Sequence, residues 1–260
     1  PNRSLDPYGA FNPHKVGVLV VLISGISYVG YFLTRILGAQ RGLGITGVIG
    51  GLTSSTAVTA AMATQAKERE DLGEICAFST IAANATMFAR VLELVGVLDP
   101  PLAKRLAWSI GTMLVAALIA TVVLWIRARR TVSKTETGPA VPLKNPFSLG
   151  PAVKFAGFFV VILFALKIAK TYLGSLGLYA AAGLSGLADV DAIMLSVAEQ
   201  TQTSTLPRDV GAIAITIAVV SNSITKSGIA ISTGGWKYGR LVAGCLIGAT
   251  ALGLVVSIVM

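Results

Sequence analysis

The sequence predicts an all-α, polytopic transmembrane helical bundle of about eight spans, arranged as two four-helix repeats. Three observations predict it. Apolar residues make up 54% of the chain and charged residues only 13%, against about 25% charged in an ordinary soluble domain. Apolar stretches recur at lengths of about 20 residues, enough to cross the hydrocarbon of a bilayer at 1.5 Å per residue. A polar motif recurs as well. Gly51-Leu52-Thr53-Ser54-Ser55-Thr56-Ala57 and Gly186-Leu187-Ala188-Asp189-Val190-Asp191-Ala192 open on the same Gly-Leu pair, so Ser54 and Thr56 each stand 135 residues ahead of Asp189 and Asp191.

Residues 1–14 form a polar N-terminal segment with no signal-peptide pattern; it opens on Pro1, and more chain is expected ahead of it. The first transmembrane repeat, 15–130, holds apolar segments at about 15–37, 43–66, 72–97 and 106–126. Asp99-Pro100-Pro101 stops the third, and Arg127, Arg129 and Arg130 close the fourth. A polar linker follows at 131–150, too rich in proline (Pro139, Pro142, Pro146) to span a membrane. The second repeat, 151–260, holds segments at about 151–173, 176–200, 209–233 and 241–260. Asn84 and Asn222 fall at the centres of the third and seventh segments, 138 residues apart, close to the spacing of the first motif. With four complete spans each, the repeats share one orientation; with a re-entrant second segment they are inverted. The sequence leaves both open. Counting Lys and Arg on alternate loops favours the linker side as cytoplasmic.

The glycines before each motif (Gly44, Gly47, Gly50, Gly51; Gly183, Gly186) fit either close helix packing or broken helices. In the second case the breaks fall at Gly50–Thr53 and Gly186–Asp189, and Thr53, Ser54 or Asp189 caps the half-helix that follows. Such a half-helix points its free N–H groups into the membrane interior. An ionisable side chain at that depth is costly, which makes it a functional candidate. Asp189 and Asp191 would lie about 200° apart on a continuous helix, so both face one site only if the backbone is irregular. Lys226, four residues after Asn222 on the same face, is the expected cation for Asp191. Arg90 and Glu93 are one turn apart and read as a local pair.

The polar set is therefore Asp189, Asp191, Ser54, Ser55, Thr56, Asn84 and Asn222, with Lys226 as a coupling residue. It is rich in oxygen donors, which suit a bound sodium, magnesium or calcium ion, with Asp189 and Asp191 as the metal ligands. No organic cofactor is implied. A net charge of +9 lies in loops without interleaved aromatics, so nucleic acid is not an expected partner. One histidine and two isolated cysteines, Cys76 and Cys245, remove Ser-His-Asp, zinc and haem chemistry. No nucleophile–base pair supports a hydrolase, and no enzyme is expected.

The runs TGVIGGLTSSTAVTAA (46–61), LKNPF (143–147) and LSGLADVDAI (184–193), with the Asn222 to Lys226 region and Gly228, resemble the C-terminal membrane domain of unknown function in bacterial MgtC/SapB-like proteins. The resemblance covers essentially the whole chain. It implies a multi-pass protein of the bacterial cytoplasmic (inner) membrane, with the lipid bilayer and an MgtC-like N-terminal half as partners, and it leaves room for a homo-oligomer. It supplies no catalytic or transport residues.

The expected function is a transporter or channel for a small inorganic ion. A hard cation is favoured, proton-coupled through Lys226, at a midplane site between the repeats. The alternatives are a non-transporting module that regulates a partner or handles lipid, and an anion transporter using half-helix N-termini.

Overall fold

The computed structural model describes residues 39–132, 177–204 and 206–259, together with Val21, Tyr28 and Phe32. Apart from those three residues, the predicted segment 15–37 lies outside the described residues, as do segment 151–173, the N-terminal segment and nearly all of the linker. The described chain is all-helical: α1 (Ala39–Glu68), a 3-10 turn (Glu70–Leu72), α2 (Gly73–Leu98), α3 (Pro100–Val132), α4 (Gly177–Ala188), α5 (Asp191–Gln202), α6 (Arg208–Gly234) and α7 (Trp236–Val259). Among the described residues, four stretches are long and apolar enough to cross a membrane: Glu70–Leu98, Pro100–Arg129, Arg208–Gly234 and Trp236–Ser257. Trp108, Val115, Ile119 and Val122 on α3, and Leu252 and Val255 on α7, are all more than half exposed. An outward apolar face of that extent is what lipid contact requires.

α3 begins earlier than the sequence suggests. Asp99-Pro100-Pro101 reads as a stop, but it starts the next helix. Asp99 Oδ1 accepts the Leu102 N–H at 3.2 Å, and the prolines occupy first-turn positions whose N–H groups would have no helical partner. At its far end the same helix runs through Val132, into the predicted linker.

Both motif-bearing segments are broken. In α1 the only residue with a non-helical backbone is Ser54 (φ −159°, ψ 104°). In the predicted segment 176–200, α4 stops at Ala188 and α5 starts at Asp191. Leu43–Leu52 and Leu178–Ala188 are apolar half-length helices. The first part of α1 runs alongside α2: the Leu43 carbonyl accepts Ser79 Oγ, Gly51 lies on Ala83, and the Leu52 carbonyl accepts Arg90 Nη1. Its second part must return to the start of α2, which follows Glu68 within five residues. α1 is thus a hairpin whose tip reaches the middle of α2. α4 and α5 repeat this against α6. The Gly183 and Gly186 carbonyls accept from Ser221 and Asn222, and Gly211, near the start of α6, lies against Thr201 of α5.

Glycine is needed at the two closest approaches. A Cβ on Gly51 would come within 2.6 Å of the Ala83 backbone, and one on Gly186 would collide with the Ala218 carbonyl. These two contacts are 135 residues apart at both members, and the starts of α2 and α6 (Gly73, Arg208) keep the same interval. The packing register is therefore that of the Ser/Asp motif. Asn84 and Asn222, 138 apart, are not equivalent positions.

α2 and α6 run in opposite directions. Asp99, at the end of α2, binds the Arg208 guanidinium at the start of α6 at 3.0 Å. Lys237, just beyond the end of α6, reaches Glu70 at the start of α2. Arg208 therefore shares an end of the bundle with Lys104 and Arg105, while Lys237 and Arg240 share the other with Lys67, Arg69, Arg127 and Arg129. Simple loop alternation groups Arg208 with Lys67 and Arg127, and Lys237 and Arg240 with Lys104 and Arg105; the ion pairs exchange these three, because alternation counts each hairpin as a full crossing.

Candidate functional site

The two hairpin tips meet beside the middle of α2 and α6, and two basic side chains hold them there. Arg90, on α2, donates Nη1 to the Leu52 carbonyl at 3.2 Å and Nη2 to the Asp191 carboxylate, at 3.1 Å to Oδ1 and 2.9 Å to Oδ2. Leu52 ends the first half of α1 and Asp191 begins α5, so one guanidinium touches both tips. The sequence-based pairing with Glu93 does not form; Glu93 is exposed.

Lys226, on α6, is fully buried. Its ammonium donates to Ser55 Oγ at 2.7 Å, to Asn84 Oδ1 at 2.9 Å, and points at Met87 Sδ at 3.0 Å. It does not pair with Asp191, whose carboxylate is taken by Arg90. The charged groups close enough to act on it are Asp189, Asp191 and Arg90. The cations cross over: Arg90 of the first half reaches Asp191 of the second, and Lys226 of the second reaches Ser55 of the first.

Most of the predicted residues converge here. Ser54 Oγ accepts the Ala57 N–H at 3.2 Å and caps the second half of α1. Ser55 is buried; the half-buried Thr56 follows it. Asn84 and Asn222 are both buried, and each spends its NH2 on a backbone carbonyl: Asn84 on Thr80 O at 2.8 Å, Asn222 on Gly186 O at 2.9 Å. That anchoring fixes where each amide oxygen points. Asn84 Oδ1 meets Lys226, whereas Asn222 Oδ1 is buried with no hydrogen-bond partner among the described residues, as is Arg90 Nε. Asp189 is exposed and its Oδ1 accepts the Asp191 N–H at 3.3 Å. Among the described residues no three His, Cys, Asp or Glu side chains cluster as metal ligands.

Sequence reasoning missed Arg90, Met87 and the Leu52 carbonyl. Arg90 carried a signal, a guanidinium well inside an apolar span, but a carboxylate one turn away offered a local explanation. Met87 carried none.

A family model described as "Domain of unknown function (DUF4010)" matches residues 21–234. An "Uncharacterized protein" from Aquifex aeolicus (strain VF5) is 33% identical over 193 residues, covering 74% of this chain and 83% of its own length. No solved structure matches.

Proposed function

Since the chain belongs to the DUF4010 family, a domain of unknown function, we propose from its own geometry that it is a membrane transporter for a small inorganic ion. Its site lies where the two hairpin tips meet. The observation that carries the reading is Arg90, which binds the tips of two hairpins entering from opposite ends of the bundle. Inverted repeats with helices broken at mid-depth are how many secondary transporters build an ion site and alternate its access. The constant 135-residue interval and the opposed α2 and α6 support two such repeats, of four segments each. In them the second segment is re-entrant and brings together Asp189, Asp191, Ser54, Ser55, Thr56, Asn84 and Asn222, with Ser55, Asn84 and Asn222 supplying the ion's oxygens and Asp189 and Asp191 balancing charge beside them.

In this reading the protein resides in the bacterial cytoplasmic membrane, and an MgtC-like N-terminal half is its neighbour. The end carrying Lys67, Arg69, Arg127, Arg129, Lys237 and Arg240 faces the cytoplasm; the end with Lys104, Arg105 and Arg208 faces outward. The test is ion flux into proteoliposomes holding the purified full chain. Asp191→Asn and Asp189→Asn should each abolish flux while the protein still elutes as a folded species. Undiminished flux in both would end the transport reading. Flux by anions alone would reassign it to the half-helix N-termini and the two basic side chains.

A further inference from the structure

We propose that the ion is a monovalent alkali cation and that the Lys226 ammonium is its tethered substitute. Nζ and the ion take turns on Ser55 Oγ and Asn84 Oδ1, so one ion enters for each proton the lysine gives up. The proposal rests on the transport reading above and adds the class of ion and its coupling.

Among the described residues the acceptors around Nζ are neutral. Ser55 and Asn84 present oxygens at 2.7 and 2.9 Å, and both carboxylates are engaged elsewhere: Asp191 by Arg90, Asp189 at an exposed position against the Asp191 N–H. Magnesium and calcium sites depend on carboxylates bound directly to the metal. A ring of hydroxyl and amide oxygens instead suits a single positive charge, which an ammonium and an alkali cation present in the same way.

One further buried acceptor lies on the same helix, and the ammonium does not use it. Among the described residues Asn222 Oδ1 is buried and unpartnered, one helical turn before Lys226 on the same face of α6. Its NH2 is fixed on the Gly186 carbonyl, so the amide cannot turn over to hide the oxygen. A buried carbonyl oxygen without a donor carries a desolvation cost. A metal ion, which takes more ligands than an ammonium has protons, would remove that cost. Met87 Sδ, a poor ligand for a hard cation, would be given up in exchange.

The exchange balances. Lys226–NH3+ releases a proton and becomes an amine as the cation takes its oxygens, and the site keeps one positive charge throughout. Arg90, Asp189 and Asp191, the charged groups that act on Lys226, need not change protonation. Ser55, losing its ammonium donor, can turn its hydroxyl hydrogen toward the amine.

The experiment is thermal unfolding of the purified full chain in detergent, titrated with lithium, sodium and potassium chlorides at several pH values. Choline chloride holds the ionic strength, and magnesium chloride serves as the divalent comparison. An alkali chloride should raise Tm, because a ligand of the folded state stabilises it. Its apparent affinity should fall about tenfold for each pH unit of acidification while Lys226 is protonated, the signature of one displaced proton. In Lys226→Met that pH dependence should vanish; the wild-type titration stands alone if the variant does not fold. An affinity independent of pH in the wild type, a response to magnesium at lower concentration than to any alkali ion, or no response to cations would each overturn the proposal. Proton-linked alkali binding without any ion flux would uphold the site and sink the transport reading; flux with pH-independent binding would do the reverse.

Discussion

Removing Arg90 measures how firmly the two hairpin tips are tied. Its guanidinium makes two bonds to the Asp191 carboxylate, at 3.1 and 2.9 Å, and one to the Leu52 carbonyl at 3.2 Å. A charge-assisted pair sheltered from water contributes about 1.5–3 kcal/mol, and a fully exposed one about 0.2–1 kcal/mol. With side chains 23% and 33% exposed, this pair falls between, at about 1.5 kcal/mol. The Leu52 carbonyl adds about 0.5–1.5 kcal/mol. Arg90→Met should therefore cost about 2–3 kcal/mol and Asp191→Asn about 1–2, since the second variant keeps the Leu52 bond. At about 2–4 °C per kcal/mol for a protein of this size, Arg90→Met lowers Tm by about 4–12 °C. Thermal unfolding of the wild type, both single variants and the double variant gives the coupling energy directly. It should be about 1.5 kcal/mol; strict additivity, within about 0.5 kcal/mol, would mean that Arg90 and Asp191 do not meet and that the tips are not joined.

Two further predictions test the frame around the site. Burial pushes the Asp99 carboxyl up, but hydrogen bonds from the Arg208 guanidinium, the Leu102 N–H and Thr201, with the Arg208 charge, outweigh it and hold the group below the usual carboxylate range. A depressed folded value means that the contribution is complete above the ordinary aspartate value of about 4 and is lost as pH falls through the lower, folded one. Asp99→Asn should lower stability by about 1–3 kcal/mol at neutral pH and flatten the acid limb of a Tm-against-pH curve; an unchanged limb would refute the pairing. The second concerns glycine. Gly186→Val and Gly51→Val should each prevent a hairpin from seating and cost more than about 2 kcal/mol, through overpacking against backbone. In contrast, Gly228→Ala, with open space at its Cβ position on α6, should be neutral or stabilise by up to about 1 kcal/mol.

The breaks were legible only in part: Ser54 and Asp189 do lie at them, but Gly51 and Gly186, which could equally have admitted an irregular backbone, stay helical and serve close packing against Ala83 and Ala218 instead. Their direction was not legible, since hydropathy gives a segment's length but no arrow: a hairpin and a span of equal length look alike. That ambiguity carried Arg208 and Lys237 to the wrong ends of the bundle. Asp99-Pro100-Pro101 misled for a related reason, because the residues that prevent one helix from continuing also start the next. At the site, Ser55, Asn84 and Lys226 were found as polar residues in apolar surroundings, but the partners were not. Arg90 reaches a carboxylate 101 residues away in preference to one three residues away, and only the fold decides between them. The matched asparagines were a coincidence of position; they reach one region from registers three residues apart.

The anchoring of those two amides limits what either position tolerates. Substituting aspartate for asparagine replaces the NH2 by an oxygen and leaves the shape almost unchanged. At Asn222 the new oxygen would confront the Gly186 carbonyl, and at Asn84 the Thr80 carbonyl, acceptor against acceptor with no proton between them. Asn222→Asp should therefore unseat the second hairpin through a change too small to see in volume, whereas Asn84→Asp strains only α2, and thermal unfolding of the two variants would tell them apart.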